Sequence, residues 1–186
     1  MRIISGLLKG KALNFLKNST TRPLKDAVKE NIFNILIHSN LIKINLANSK
    51  VLDAYSGVGS FGIECLSRGV KKTVFIESDK NASKILQQNL LLLSMPNKAL
   101  IFNDKIEKFL KINIKEKYNI FFFDPPFSDE TFIQNLHFIK KNNMYETKHI
   151  VILHRERETF DNLKDFIDII ITKQYGRSKI VFGLFN

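Results

Sequence analysis

Val51-Leu52-Asp53-Ala54-Tyr55-Ser56-Gly57-Val58-Gly59-Ser60-Phe61-Gly62 decides the fold. A short apolar run over 51–54 carries an acid and enters a loop in which Gly57, Gly59 and Gly62 satisfy G-x-G-x-x-G. Helical spacing takes over at 60–67. The segment therefore reads as a strand, a glycine turn and a helix, the opening of an alternating α/β pattern.

Outward from this unit the alternation continues. Strands are predicted at 73–76, 99–102, 120–123 and 149–154, and helices at 80–93, 106–110, 129–138 and 158–165. Segments 167–172 and 179–185 lie on either side of 173–178 as a terminal hairpin. The expectation is a Rossmann-like α/β fold: a mostly parallel seven-stranded sheet covered on both faces, with a C-terminal antiparallel hairpin. Ligands of such sheets bind beyond the carboxyl ends of the strands. On the N-terminal side, a helix over 25–38 gathers Val28, Ile32, Phe33, Ile35 and Leu36 on one face, preceded by a loop ending at Pro23. Segments 2–7 and 11–15 flank a Gly6 to Gly10 turn as a small hairpin. The whole chain, 1–186, reads as one domain, with 1–24 as a basic extension.

Composition bounds the function. A chain of 186 residues, 44% hydrophobic and 25% charged, can bury one sizeable core. Its apolar runs fall far short of the roughly 20 residues that cross a bilayer. The first residues break their apolar content with Gly6, Lys9 and Gly10, which does not suit a signal peptide. Cys65 is the only cysteine, so no internal disulfide or cysteine zinc site can form, and a reducing cytoplasm fits. Net charge is +11 and unevenly placed. Residues 1–50 hold Arg2, Lys9, Lys11, Lys17, Arg22, Lys25, Lys29, Lys43 and Lys50 against Asp26 and Glu30. A basic segment ahead of a more balanced body reads as a nucleic-acid-contacting extension.

The glycine loop alone does not name its ligand. Glu77 and Asp79 follow the second predicted strand, where a carboxylate can take both hydroxyls of an adenosine ribose. Asp53 separates the two common adenosine ligands. A dinucleotide would bring its pyrophosphate to this loop, and the nearby acid would repel it. S-adenosylmethionine carries an ammonium and a sulfonium, which the acid attracts. Asp104, after the third strand, would suit an adenine amino group; taken singly, Asp53 or Asp104 would serve equally as a turn former.

Ile120-Phe121-Phe122-Phe123-Asp124-Pro125-Pro126-Phe127 ends the fourth strand with an acid, two prolines and an aromatic ring. The prolines stiffen the backbone and leave carbonyl acceptors. Such a turn suits an exocyclic amine, whose lone pair is delocalised into its ring and poorly nucleophilic. Accepting both amine hydrogens, at the Asp124 carboxylate and the Pro125 carbonyl, favours a pyramidal nitrogen whose lone pair faces a methyl donor. Phe127 would stack on the base. No metal is called for.

Taken together, Arg2-Ile3-Ile4-Ser5-Gly6, Lys9-Gly10, Thr21-Arg22-Pro23, the segments 28–36 and 52–69, and Asp124-Pro125-Pro126-Phe127 resemble the RsmD family. Its members are bacterial S-adenosylmethionine-dependent methyltransferases acting on the N2 amine of one guanine in 16S ribosomal RNA. The resemblance implies cofactor contacts at Asp53, Tyr55, Gly57, Gly59, Glu77 and Asp104, and Asp124, Pro125 and Phe127 at the reacting base. Lys9, Lys11, Thr21, Arg22, Pro23 and Pro126 would meet RNA within the small ribosomal subunit, the enzyme acting as a cytoplasmic monomer. Leu24-Lys25 and Tyr55-Ser56 depart from the family's usual residues. Rival readings keep the chemistry on a DNA adenine or a protein glutamine, or keep only RNA binding; an NAD-dependent oxidoreductase is disfavoured by Asp53. His38, His137, His149 and His154 share no metal-ligand spacing and read as surface or strand-end residues. Arg155, Arg157 and Arg177 read as solvated, and 90–93 as core.

Overall fold

A computed structural model describes residues 1–16 and 24–186. The strands are β1 (Lys50–Ala54), β2 (Lys72–Ile76), β3 (Ala99–Phe102), β4 (Tyr118–Phe123), β5 (Tyr145–Glu156), β6 (Ile167–Tyr175) and β7 (Ser178–Phe185). They form one sheet in the order β3-β2-β1-β4-β5-β7-β6, parallel from β3 to β5, with β7 antiparallel to both its neighbours. The helices are α1 (Asp26–His38), α2 (Ser60–Ser67), α3 (Lys80–Leu92), α4 (Ile106–Ile112) and α5 (Phe132–Lys141). None of the described helices is long and apolar enough to cross a membrane.

Burial on both faces explains why β4 is apolar without a break from Ile120 to Phe123. Ile120 and Phe122 enter one core with Val51, Phe75 and the inner faces of α1, α2 and α3. Phe121 and Phe123 enter the other with Leu52, Ala54 and the faces of α4 and α5. The first core contains a stack in which the Phe61 ring lies 5.3 Å from Phe33 and 4.0 Å from Phe122.

Several expectations change. Residues 158–165 are turn and coil rather than helix. Their polar groups are spent elsewhere: the Thr159 hydroxyl donates to the Glu156 carbonyl, and Asp161 pairs with Arg155, while Leu163 is drawn into the core. Helix α5 starts at Phe132, not at 129, because Asp129 closes a turn: it takes the Thr131 N–H and donates its own to the Pro126 carbonyl. The terminal hairpin turns on Gly176-Arg177 alone, with Gly176 at φ 58°, the positive-φ geometry that glycine gives a two-residue hairpin. In the run at 90–93, Leu90 and Leu93 are buried but Leu91 and Leu92 are exposed.

The N-terminal hairpin is reduced to one antiparallel bridge, Arg2 to Ala12. It is fastened to α2 instead of to the sheet. The Glu64 carboxylate accepts the N–H groups of Ile4 (2.7 Å) and Ser5 (2.9 Å) and the Arg68 Nε (2.8 Å), and lies 3.7 Å from the Lys29 ammonium. Ser67 completes the clasp, its hydroxyl donating to the Ser5 carbonyl and accepting from Leu8 N–H. Lys29, counted above among the basic charges, is therefore internal. It lies on the buried face of α1 and donates to the Arg2 carbonyl and the Ser60 hydroxyl.

Candidate active site

The order of strands reverses between β1 and β4, and the crevice beyond their carboxyl ends is the ligand position of an open α/β sheet. Ala54 and Phe123 are partners in register, so the glycine loop and the Asp124 turn leave the sheet side by side. This single juxtaposition brings the two sequence motifs, separated by some seventy positions, into one site.

Backbone geometry sets the loop. Gly59 caps α2 at φ 89°, and a Cβ there would lie 2.4 Å from Leu86 Cδ1. Gly62 is needed for a different reason, close approach: a Cβ would meet Phe75 Cε1 at 2.3 Å and Asp53 Oδ2 at 2.8 Å. Since Phe75 is fully buried, its ring has no outward escape. Gly62→Ala is expected to cost about 1–3 kcal/mol of stability, measured by denaturant unfolding, and to displace the Asp53 carboxylate.

Asp53 is 1% exposed. Its Oδ2 accepts the Gly62 N–H at 2.8 Å, while Oδ1 has no partner among the described residues. Burial pushes this carboxyl well above the ordinary range; the Gly62 N–H opposes the shift, and the nearby Asp124 and Glu77 add to it. An orphaned buried acceptor of this kind is unfavourable unless a cation or donor completes it.

Glu77 sits past the end of β2 and braces the loop. Its Oε2 accepts from Gly57 N–H and its Oε1 from Asp79 N–H, both at 2.7 Å. Each oxygen keeps a second lone pair. Partial burial raises its pKa, against the pull of those backbone donors. Asp79 is spent as the cap of α3, accepting from Asn81 and Ala82 N–H. Asp104 is also engaged: the Lys108 ammonium, 2.7 Å away, and the Lys105 N–H hold its carboxyl below the usual range. Tyr55 adopts φ 63° beside the loop, and its hydroxyl meets Asn135 of α5 at 3.3 Å. Asn89 of α3, absent from the sequence reading, ties the loop down by donating to the Val58 carbonyl and pairing with Asn14 of the N-terminal arm.

Across the crevice, Asp124 is three-quarters buried and Pro125 buried, whereas Pro126 is exposed and Phe127 half-buried. No donor among the described residues engages the Pro125 carbonyl. The carbonyls of Pro126 and Phe127 are held by Arg155 at 3.0 and 3.1 Å. Arg155, read as solvated from sequence, is thus 2% exposed; Asp161 neutralises it and its guanidinium lies 4.7 Å from the centre of the Phe132 ring. His154 is buried too, with Nδ1 2.8 Å from Asp124 Oδ1. His149, read as surface or strand-end, instead bridges backbone groups, its Nδ1 at the Glu146 carbonyl and its Nε2 accepting Phe185 N–H. Among the described residues, no three His, Cys, Asp or Glu side chains converge as a metal site would require.

Lys9 and Lys11 are exposed on the docked hairpin. Thr21, Arg22 and Pro23 lie outside the described residues.

The donor set fits S-adenosylmethionine. The orphaned Asp53 Oδ1 matches its ammonium, and the free lone pairs of Glu77 match two ribose hydroxyls. Sheet order, glycine loop and acid-proline-proline turn together define a methyltransferase of the α/β class. The solved structure of the yhhF protein from Escherichia coli superposes with a TM-score of 0.83 at 25% identity, over 100% of this chain and 98% of that one. The chain belongs to the RsmD family, whose description, conserved hypothetical protein 95, matches residues 1–184. The ribosomal RNA small subunit methyltransferase D of Haemophilus influenzae is 32% identical over 160 residues, covering 85% of this chain and 80% of that protein. The protein of the same name from Escherichia coli K12 is 29% identical over 158 residues, covering 85% and 76%.

Proposed function

We propose that this protein transfers a methyl group from S-adenosylmethionine to the exocyclic N2 amine of a guanine in 16S ribosomal RNA of the small subunit. The observation that carries the reading is the Asp124 carboxylate beside an unengaged Pro125 carbonyl, directly across the crevice from the glycine loop. Two fixed acceptors and a methyl donor are what a planar amine requires. The relatives' shared name supplies the RNA class.

When bound, S-adenosylmethionine supplies an electrophilic methyl on a sulfonium. The protein's own part is orientation. Asp53 holds the ammonium, Glu77 the ribose hydroxyls, the Gly57 to Gly59 backbone passes close to the cofactor, and Tyr55 walls it. Asp104 meets the adenine amino group with the lone pairs that Lys108 leaves free. On the other side, Asp124 Oδ2 and the Pro125 carbonyl accept the amine hydrogens, so that nitrogen turns its lone pair toward the methyl. Phe127 stacks on the base and Pro126 forms the rim. As the amine's bond to the methyl carbon formed, the carbon–sulfur bond would break with its electron pair left on sulfur as a neutral thioether, and the Asp124 carboxylate is placed to receive the proton the amine loses. Lys9, Lys11, Thr21, Arg22 and Pro23 meet RNA phosphate and the approach to the crevice; a domain of this size has little surface for reading sequence, so a flipped base on a folded subunit surface fits.

The test is incubation with methyl-labelled S-adenosylmethionine and small ribosomal subunits lacking the guanine methylation, followed by nucleoside mass spectrometry. N2-methylguanosine at one position is the expected product. Cofactor binding without label in RNA would transfer the reading to a DNA adenine or a protein glutamine.

A further inference from the structure

Among the described residues, His154 is the one histidine whose ring touches the proposed site. It projects from β5, beside the carboxyl end of β4. Its Nδ1 lies 2.8 Å from Asp124 Oδ1, and its Nε2 lies 2.9 Å from the hydroxyl of Ser178, the first residue of β7. The Phe127 ring stands edge-on to it, with centroids 6.0 Å apart. A carboxylate has only acceptor sites, so the proton of this contact sits on Nδ1. Nε2 then accepts from the Ser178 hydroxyl, or donates to it when the ring is charged. Either way, one imidazole edge is fixed by a strand and the other grips the carboxylate.

We infer that His154, oriented by Ser178, is a positioning residue for the methylation site: its Nδ1–H occupies Asp124 Oδ1 and turns Oδ2 alone toward the substrate amine. The inference rests on the role proposed for Asp124. A free carboxylate can rotate about its Cβ–Cγ bond and offer either oxygen in any direction. Pinned at Oδ1, it offers one acceptor in one direction, which matches an amine whose second hydrogen goes to the Pro125 carbonyl. Misplacement of a reacting group by about 1 Å costs about 100-fold in rate, so the pin has kinetic weight although it never touches substrate.

Side-chain length provides the discriminating test. The amide nitrogen of asparagine stands at the same bond distance from the backbone as Nδ1, whereas that of glutamine stands near the position of Nε2. Single-turnover methyl transfer to unmethylated small subunits would be measured for the wild type, His154→Ala, His154→Asn, His154→Gln and Asp124→Ala, with S-adenosylmethionine affinity measured by calorimetry on each. Expected are losses of about 10- to 100-fold in rate for His154→Ala and His154→Gln, recovery to within a few-fold in His154→Asn, and unchanged cofactor affinity in the three His154 variants. Glutamine is nearer histidine in volume, so a merely space-filling role would show the opposite order, and that order overturns the inference. Nitrogen NMR of the His154 ring in the ligand-free protein supplies a readout independent of activity: a protonated Nδ1 is expected, and an Nε2–H tautomer with bare Nδ1 overturns it. If Asp124→Ala turns over at the wild-type rate, it is the role of Asp124 that fails, whatever the His154 variants do.

Discussion

Asp124→Ala is expected to lower methyl transfer by about two orders of magnitude, the scale of losing one positioned polar group at a reacting centre, and to leave S-adenosylmethionine affinity within a few-fold. The reasoning is spatial. The proposed cofactor contacts are Asp53 on β1, the glycine loop that follows it and Glu77 just past β2, while Asp124 follows β4 on the other side of the crevice. Removing its carboxylate would delete one of the two proposed acceptors for the amine hydrogens; the Pro125 carbonyl would remain, so a residual rate is expected. One term works against unchanged affinity: Asp124 contributes to the raised pKa of Asp53, and its removal makes the Asp53 carboxylate easier to ionise. Cofactor affinity should therefore shift, if at all, toward tighter binding. The check is paired: single-turnover rate on unmethylated subunits, and calorimetric titration of the cofactor on the same preparation. Wild-type turnover in the variant removes the proposed role; a large fall in affinity moves Asp124 to the cofactor side.

What sequence revealed and what it hid divide along a physical line. The β1 loop and its helix were legible because glycine geometry is local: positive φ at Gly57 and Gly59 and close packing at Gly62 are written within residues 57–62. Strand β4 was legible because burial on both faces needs an unbroken apolar run. Long-range polar pairing was not. His154 meets Asp124 across 30 positions, Arg155 reaches back 28 and 29, and Glu64 joins Ile4 across 60. A charge inside a strand or helix pattern looks solvated until its partner is known, and this is why sequence alone counts Lys29 with the basic segment and reads Arg155 as solvated. The helix expected at 158–165 failed for the same reason, since Asp161 serves a buried guanidinium rather than a helix face. One signal was present: His154-Arg155 continues a strand that is apolar from Ile150 to Leu153, a place where solvated charge is unusual.

Glu64→Ala is expected to destabilise the protein by about 3–5 kcal/mol, the cost of breaking a buried pair and leaving one charge uncompensated, whereas Lys29→Met should cost markedly less. Both side chains are fully buried, so water does not screen the loss. The asymmetry follows from what each partner retains. Without Lys29, Glu64 keeps the Arg68 guanidinium at 2.8 Å and the N–H groups of Ile4 and Ser5. Without Glu64, Lys29 keeps only the Arg2 carbonyl at 2.8 Å and the Ser60 hydroxyl at 3.3 Å, and no anion within 4 Å among the described residues. Its pKa is already lowered by burial, with Glu64 the strongest opposing influence; removing that support deepens the penalty on the ammonium. The same substitution frees the backbone of Ile4 and Ser5, so the hairpin bearing Lys9 and Lys11 loses its hold on α2. Denaturant unfolding of the two single variants and the double variant checks the energetics: Glu64→Ala with Lys29→Met should cost less than the sum, because the second change removes the charge that the first strands. Amide exchange at residues 4 and 5 reads the hairpin directly, and protection equal to wild type in Glu64→Ala would show that the clasp rests on Ser67 instead.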